Sequence, residues 1–269
     1  TLTTQYRSIP EIGEIFNQLT YDGVLTHNRC HTSQRKLAID DFIDVKTLNI
    51  IKFPIKKYES IYRPKYLNRT SSYQVYSALF AFEFLKYLAE LLTLANEHEF
   101  FRIGLIAPYK AQSDLIDKLI SAIILPKNID IQVDTIHGFQ GDECDIIIAL
   151  FNPPPYISSS EKIFLNKLNI INVSISRAKD YLFILMPDNH TENVDSLTLI
   201  KKIEKLCKEQ TSCIEYHSST IEEVIFQDNL YLENNAFSTS HHLVNVYRKP
   251  EKRYEIRSED NAIDIQINE

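Results

Sequence analysis

Residues 131–151 limit what this chain can fold into. Ile131, Val133 and Ile136 read as one strand, and Ile146 to Phe151 is a continuous apolar run, as expected of a strand buried on both faces. The short polar loop between them holds Thr135, His137, Gln140, Asp142 and Glu143, with Gly138 and Gly141, two of only five glycines in the chain. Glycine lacks a Cβ, so backbone N–H groups there can come close to a ligand. By itself a G-x-x-G loop is also compatible with a polar hairpin or connector.

Neighbouring segments extend the pattern. Phe101 to Ala107 reads as a strand and Leu115 to Ile123 as a helix, so residues 101–136 form a β-α-β crossover. Pro108, Tyr109, Lys110 and Gln112 follow the carboxyl end of the first of these strands, the edge at which open α/β sheets bind ligands. Ile12, Ile15, Phe16 and Leu19 recur at helical spacing behind Pro10, placing Gln5-Tyr6-Arg7 in the connection before a helix. That trio offers an amide, a flat π surface and a guanidinium fork, which suit a base and a phosphate, though an arginine there could equally pair with a surface carboxylate.

Further along, Leu48 to Phe53 predicts a strand, and Asp22-Gly23 a turn. A long apolar helix runs through residues 75–92 behind a cap at Ser71 or Ser72, and its aromatic residues are explained by core packing. Residues 162–179 read as a helix that ends near Arg177, with a strand over Tyr181 to Met186. Strand and helix alternate throughout, so the expected fold is α/β, a largely parallel sheet flanked by helices. After Pro187 the pattern changes: helices over 197–206 and 221–232, then half-exposed strands over His241–Tyr247 and Ile263–Ile267. The expected division is 1–187, with an irregular basic insertion at about 26–70, and a C-terminal α+β extension over 188–269.

Bulk properties narrow the function. At 269 residues and 44% hydrophobic content the chain can bury a sizeable core, and no stretch is apolar enough to predict a membrane span. Four scattered cysteines without a C-x-x-C pair predict neither zinc binding nor disulfides, and a reduced, cytoplasmic setting. The net charge of −7 argues against a polycation that coats nucleic acid. It leaves room for a local groove, such as one built on Lys52, Lys56, Lys57, Arg63, Lys65 and Arg69. Thr1 in place of an initiator methionine reads as a cut into a longer polypeptide.

Taken together, Gln5-Tyr6-Arg7, Val133 to Glu143 and Asn172-Val173-Ser174-Ile175-Ser176-Arg177-Ala178-Lys179 resemble three successive motifs of superfamily 1 helicases, nearest to the Upf-like branch. Ile106 to Gln112 is similar to a fourth motif between the first two. The resemblance covers residues 1–187 and implies the second of two RecA-like, P-loop NTPase-type motor domains, with ATP and Mg2+ held mainly by an N-terminal RecA-like domain of the same polypeptide. It implies catalytic roles at phosphate for Arg7, Arg177 and Gln140, and nucleotide contacts for Gln5, Tyr6, Gly141 and Glu143. It also implies contacts to single-stranded DNA or RNA for Thr135, His137, Pro108, Tyr109, Lys110 and Gln112, in a monomeric enzyme. Ser8-Ile9 stands where the family often has Met-His, and Ser176 where it has Thr. No G-x-x-x-x-G-K-[ST] phosphate loop occurs, and Asp142-Glu143 precedes its strand rather than ending one. This segment alone is therefore expected not to hydrolyse ATP.

Overall fold

A computed structural model describes residues 3–37, 43–56, 59, 61–95, 98–139, 141–158, 163–227 and 232, and the backbone of three strands between 243 and 268. The elements in chain order are β1 (Thr4–Gln5), α1 (Pro10–Thr20), β2 (Thr26–His27), β3 (Leu48–Phe53), β4 (Lys65–Leu67), β5 (Ser71–Tyr73) and α2 (Val75–Ala95). They continue with β6 (Phe101–Ala107), α3 (Lys110–Ser121), β7 (Ile129–Thr135), β8 (Cys144–Leu150), α4 (Leu168–Ser176) and β9 (Ala178–Pro187). Then come α5 (Thr198–Lys208), β10 (Cys213–His217), α6 (Ser218–Phe226), β11 (Leu243–Arg248), β12 (Lys252–Glu259) and β13 (Ala262–Asn268).

Six strands form one parallel sheet in the order β10-β3-β9-β8-β6-β7. Alternation along each strand sends side chains to two cores. Ile146, Ile148, Phe183, Leu185, Ile51 and Phe53 face α2, α3 and α6. Ile147, Ala149, Leu182, Ile184, Leu48 and Ile50 face α1, α4 and α5. Both faces are covered, which is why β8 and β9 read as unbroken apolar runs. The aromatic weight of α2 is core: Tyr76, Phe80, Phe82 and Phe84 are fully buried.

Several boundaries differ from the sequence reading. Neither Ser71 nor Ser72 caps α2; both lie in the β4–β5 hairpin, where Ser72 Oγ donates to the Pro153 carbonyl and Ser71 Oγ accepts from Ala111 N–H. The helix expected over 162–179 is a 3-10 turn at Phe164–Asn166 followed by α4, because Lys167 between them is extended. Helix α6 stops at Phe226, where Gln227 turns left-handed; the rest of the predicted helix lies mostly outside the described residues, as do His241 and His242. The sheet itself runs past residue 187, since β10 pairs with β3 and Ile200, Ile203 and Cys207 of α5 sit in the α1/α4 core. The final antiparallel sheet, β11-β12-β13, includes a middle strand that the sequence reading missed.

The basic insertion is not one groove. Lys52 is fully buried in β3, paired with Glu204 at 2.5 Å and Glu215 at 3.5 Å and hydrogen-bonded to Asn189. Lys56 pairs with Glu59, and Lys57 lies outside the described residues. Arg63 and Arg69 remain exposed. No described helix is long and apolar enough to cross a membrane.

A candidate nucleotide pocket at the amino edge of the sheet

Because the strands are parallel, the sheet has an amino edge and a carboxyl edge. The connection from β7 to β8 must run from one to the other. It does so without a helix, as a strap over the α1/α4 face. Phe139 in mid-strap is fully buried and lies on Gly104 of β6, where a Cβ would come within 2.8 Å of its ring. At the far end Gly141 takes φ +101°, a conformation open to glycine and costly for other residues. The Cys144 N–H then donates to the Arg177 carbonyl at 3.1 Å, fixing the strap beside the α4–β9 turn.

A cavity of about 860 Å³ opens at this amino edge. Its charged wall carries Arg7, Arg177, Lys179, Arg29 and Glu143, and its other wall Tyr6, Phe16, Tyr21, Leu25 and Val173. Arg7 comes from the β1–α1 connection and Arg177 from the turn after α4, 170 positions apart in the chain. The chain is sewn together between them: Ser8 Oγ donates to the Ala178 carbonyl at 2.6 Å, and Ile9 N–H to the Lys179 carbonyl at 3.0 Å. Ser8 and Ile9, the departures from the Met-His pattern, are thus fully buried and form this seam.

Within the pocket Arg7 Nε donates to Glu143 Oε2 at 2.9 Å, and Arg7 Nη1 to the Ser176 carbonyl at 2.9 Å. Lys179 Nζ lies 2.6 Å from the other Glu143 oxygen. Lys179 above all, with Arg7, holds the Glu143 carboxyl below the usual range against the opposing effect of burial. Arg177 differs: burial first, then the neighbouring charge of Arg7, lowers its pKa, and its buried Nε has no partner. A partly buried guanidinium with one N–H unpaired, beside another cation, is a group whose charge is well matched to an anion. Asn172 Oδ1, also on this wall, is likewise buried without a partner.

Tyr6 is 66% exposed and free to present its ring. Gln5 is not free: its oxygen accepts from the N–H of Arg7 and of Ser8, and its nitrogen donates to the Ser8 carbonyl and contacts His27. The Gln5 amide therefore shapes the turn that presents Arg7, and Gln5 also lines the pocket. Gly141 is exposed, and Gln140 lies outside the described residues. Among the described residues no group of three His, Cys, Asp or Glu could hold a metal ion. The cationic side chains outnumber the one carboxylate on this wall, a donor set suited to an anion.

The residues expected to meet single strands lie at the opposite, carboxyl edge. Lys110 is exposed and pairs only with its helix neighbour Asp114 at 3.1 Å, and His137 is exposed at the start of the strap. Thr135 is half-buried, its N–H and hydroxyl donating to Asp134. Pro108 is buried, and Tyr109 is largely covered beside Phe164, where burial raises its pKa. Gln112 is fully buried: its oxygen accepts from Gln74 N–H, and its nitrogen donates to the Gln74 carbonyl and Ser77. It ties α3 to α2, so its place as a nucleic-acid contact is withdrawn. Sequence reading gives no role of its own to Lys179, the last residue of the recognised arginine motif, or to Arg29, for which no local signal exists.

The chain is similar to several proteins described as helicases. An uncharacterized ATP-dependent helicase of Methanocaldococcus jannaschii is 28% identical over 196 residues, 70% of this chain and 26% of that protein. The probable helicase senataxin of Mus musculus is 37% identical over 109 residues, 38% of this chain and 4% of that one. The helicase required for RNAi-mediated heterochromatin assembly 1 of Schizosaccharomyces pombe is 27% identical over 178 residues, 62% of this chain and 17% of that one. The chain thus spans about a quarter or less of the length of these curated relatives. The C-terminal domain of a possible DNA helicase from Lactobacillus plantarum aligns over 80% of this chain and 99% of that one, at 10% identity and a TM-score of 0.37, too loose a likeness to carry an argument. Residues 1–189 match the family model described as an AAA domain, and with it the chain belongs to the Upf-like branch of the superfamily 1 helicases.

Proposed function

We propose that this chain is the C-terminal motor domain of an ATP-dependent DNA or RNA helicase, with Arg7 and Arg177 as arginine fingers. The observation that carries this reading is their convergence: two guanidiniums from distant parts of the chain line one pocket of nucleotide size. ATP, held with Mg2+ mainly by an N-terminal RecA-like domain of the same polypeptide, supplies the phosphoanhydride whose hydrolysis drives movement along a single strand. Phosphoryl transfer is accelerated chiefly by charge placed where it accumulates on the transferring oxygens, and an arginine finger contributes on the order of 10³-fold or more. Arg177, with its unpaired Nε, meets that charge directly; Arg7 exchanges its Glu143 partner for it. Tyr6 stacks on the base, and Gly141, Glu143 and Gln140 form the loop against phosphate and ribose.

At the carboxyl edge Thr135, His137, Lys110 and Tyr109 contact the single-stranded backbone, on a turn set by the buried Pro108. The strap from Thr135 to Cys144 makes one covalent piece of both edges, so a shift of the strand and a change at phosphate move the same eight residues between them. In the full-length monomer, Arg177→Ala is expected to abolish ATP turnover stimulated by single strands while nucleotide binding persists. Normal turnover in that variant would end the finger assignment, whereas an intact protein that binds single strands without turning over ATP would be a module that only holds nucleic acid or a protein.

A further inference from the structure

Arg29 lies in the irregular segment after β2, which neither the helicase motifs nor the proposed mechanism uses. Its guanidinium sits at the seam below the two fingers. Nη1 donates to the carbonyl of Arg7 itself at 2.8 Å and to the carbonyl of Lys179 at 3.2 Å. Nη2 donates to Asp180 Oδ1 at 2.6 Å and to the Ser33 carbonyl at 2.9 Å, and Nε to Ser33 Oγ at 3.3 Å. The Asp180 side chain is 2% exposed, so it is a fixed anchor rather than a surface partner. Gln34 Nε2 donates to the Asp180 carbonyl at 2.8 Å, closing the loop over it.

One planar fork thus bonds the backbone of the first finger and the backbone two residues beyond the second. Five donors in a rigid geometry suit this role, and a lysine cannot reproduce it from a single nitrogen. Resting on the finger reading above, we propose that Arg29, anchored by Asp180, is a positioning residue that sets the spacing of Arg7 and Arg177. The physical reason is geometry: the two finger backbones belong to different elements, and to the packing of α1 on α4 and the seam at Ser8 and Ile9 Arg29 adds a bond to the Arg7 carbonyl and one to the Lys179 carbonyl. A displacement near 1 Å at a reacting centre costs about 10²-fold in rate.

The test uses the full-length protein, with kcat and KM for ATP measured in saturating single-stranded nucleic acid. Arg29→Ala is expected to lower kcat by about 10- to 100-fold with KM for ATP changed less than about threefold. Arg29→Lys is expected to restore part of the loss, and the near-isosteric Asp180→Asn to lower kcat in the same direction, which keeps the test open if Arg29→Ala fails to fold. In an Arg7→Ala background, Arg29→Ala is expected to add little, because the finger it positions is gone. Unchanged kcat in Arg29→Ala and Asp180→Asn, a rise in KM alone, or full additivity with Arg7→Ala would overturn the proposal. If Arg7→Ala and Arg177→Ala themselves turn over normally, the finger reading has failed; if they are inactive while the Arg29 variants are not, only the positioning role has failed.

Discussion

Gly104→Ala tests whether the strap is truly locked to the sheet. A Cβ at this central β6 position would stand 2.6 Å from Ile147 Cδ1, 2.8 Å from Phe139 Cε1 and 3.0 Å from Cys144 Sγ. All three side chains are buried, so none can swing into solvent to make room. Inserting a carbon into a packed core costs typically 1–3 kcal/mol, and three simultaneous close contacts argue for about 2 kcal/mol here. At this chain size that corresponds to roughly 3–4 °C in Tm. Denaturant midpoints give the same quantity independently. Phe139→Leu alone leaves a void and is expected to cost about 1 kcal/mol. Combined with Gly104→Ala it vacates space for the new methyl, so the double variant should be less destabilised than the sum by at least about 0.5 kcal/mol. Strict additivity, or a Gly104→Ala protein as stable as the parent, would refute the packing of Phe139 on Gly104 and with it the fixed strap.

Other outcomes follow from the same coordinates. Burial opposes the ionised form of Glu204, but Lys201, Lys52 and Lys208 outweigh it and bring its pKa to about 2. A depressed carboxylate stabilises the fold above its unfolded value and loses that contribution as pH falls towards the folded one. About 3 kcal/mol should therefore disappear between roughly pH 5 and pH 2 in acid denaturation, and Glu204→Gln should flatten that limb; an unchanged acid limb would refute the cluster. Lys110→Ala should reduce the slope of log binding constant for single strands against log salt by about one, and an unaltered slope would remove Lys110 from the track. Tyr6→Ala should raise KM for ATP by about tenfold through lost stacking, with no change in Tm because the ring is exposed. A fall in Tm with KM unchanged would make Tyr6 a packing residue.

Much of the fold is legible in the chain. The apolar runs at 48–53, 101–107 and 144–150 are buried parallel strands because both sheet faces are covered, and such strands carry their signature along their own length. Helices α1, α3 and α5 show their apolar stripes in the same local way. The arginine motifs are also local, and their joint appearance was enough to expect a shared site. Local sequence says nothing about pairing across the chain, however. β10 joins the sheet at β3 through pairing of residues 213–217 with 48–52, which no local pattern announces. Gln112 and Lys52 read as surface groups and are core ones, because a buried polar side chain is recognised by its partners, Gln74 and Ser77 for one, Glu204 and Asn189 for the other. Arg29 has no signal at all, since its meaning lies in two carbonyls, one 22 and the other 150 residues distant. Sequence determined most of the elements and pointed to the two arginines; tertiary structure alone decided that they line one pocket at the amino edge, because the covalent strap and the hydrogen-bonded seam act through space between residues that the chain keeps far apart.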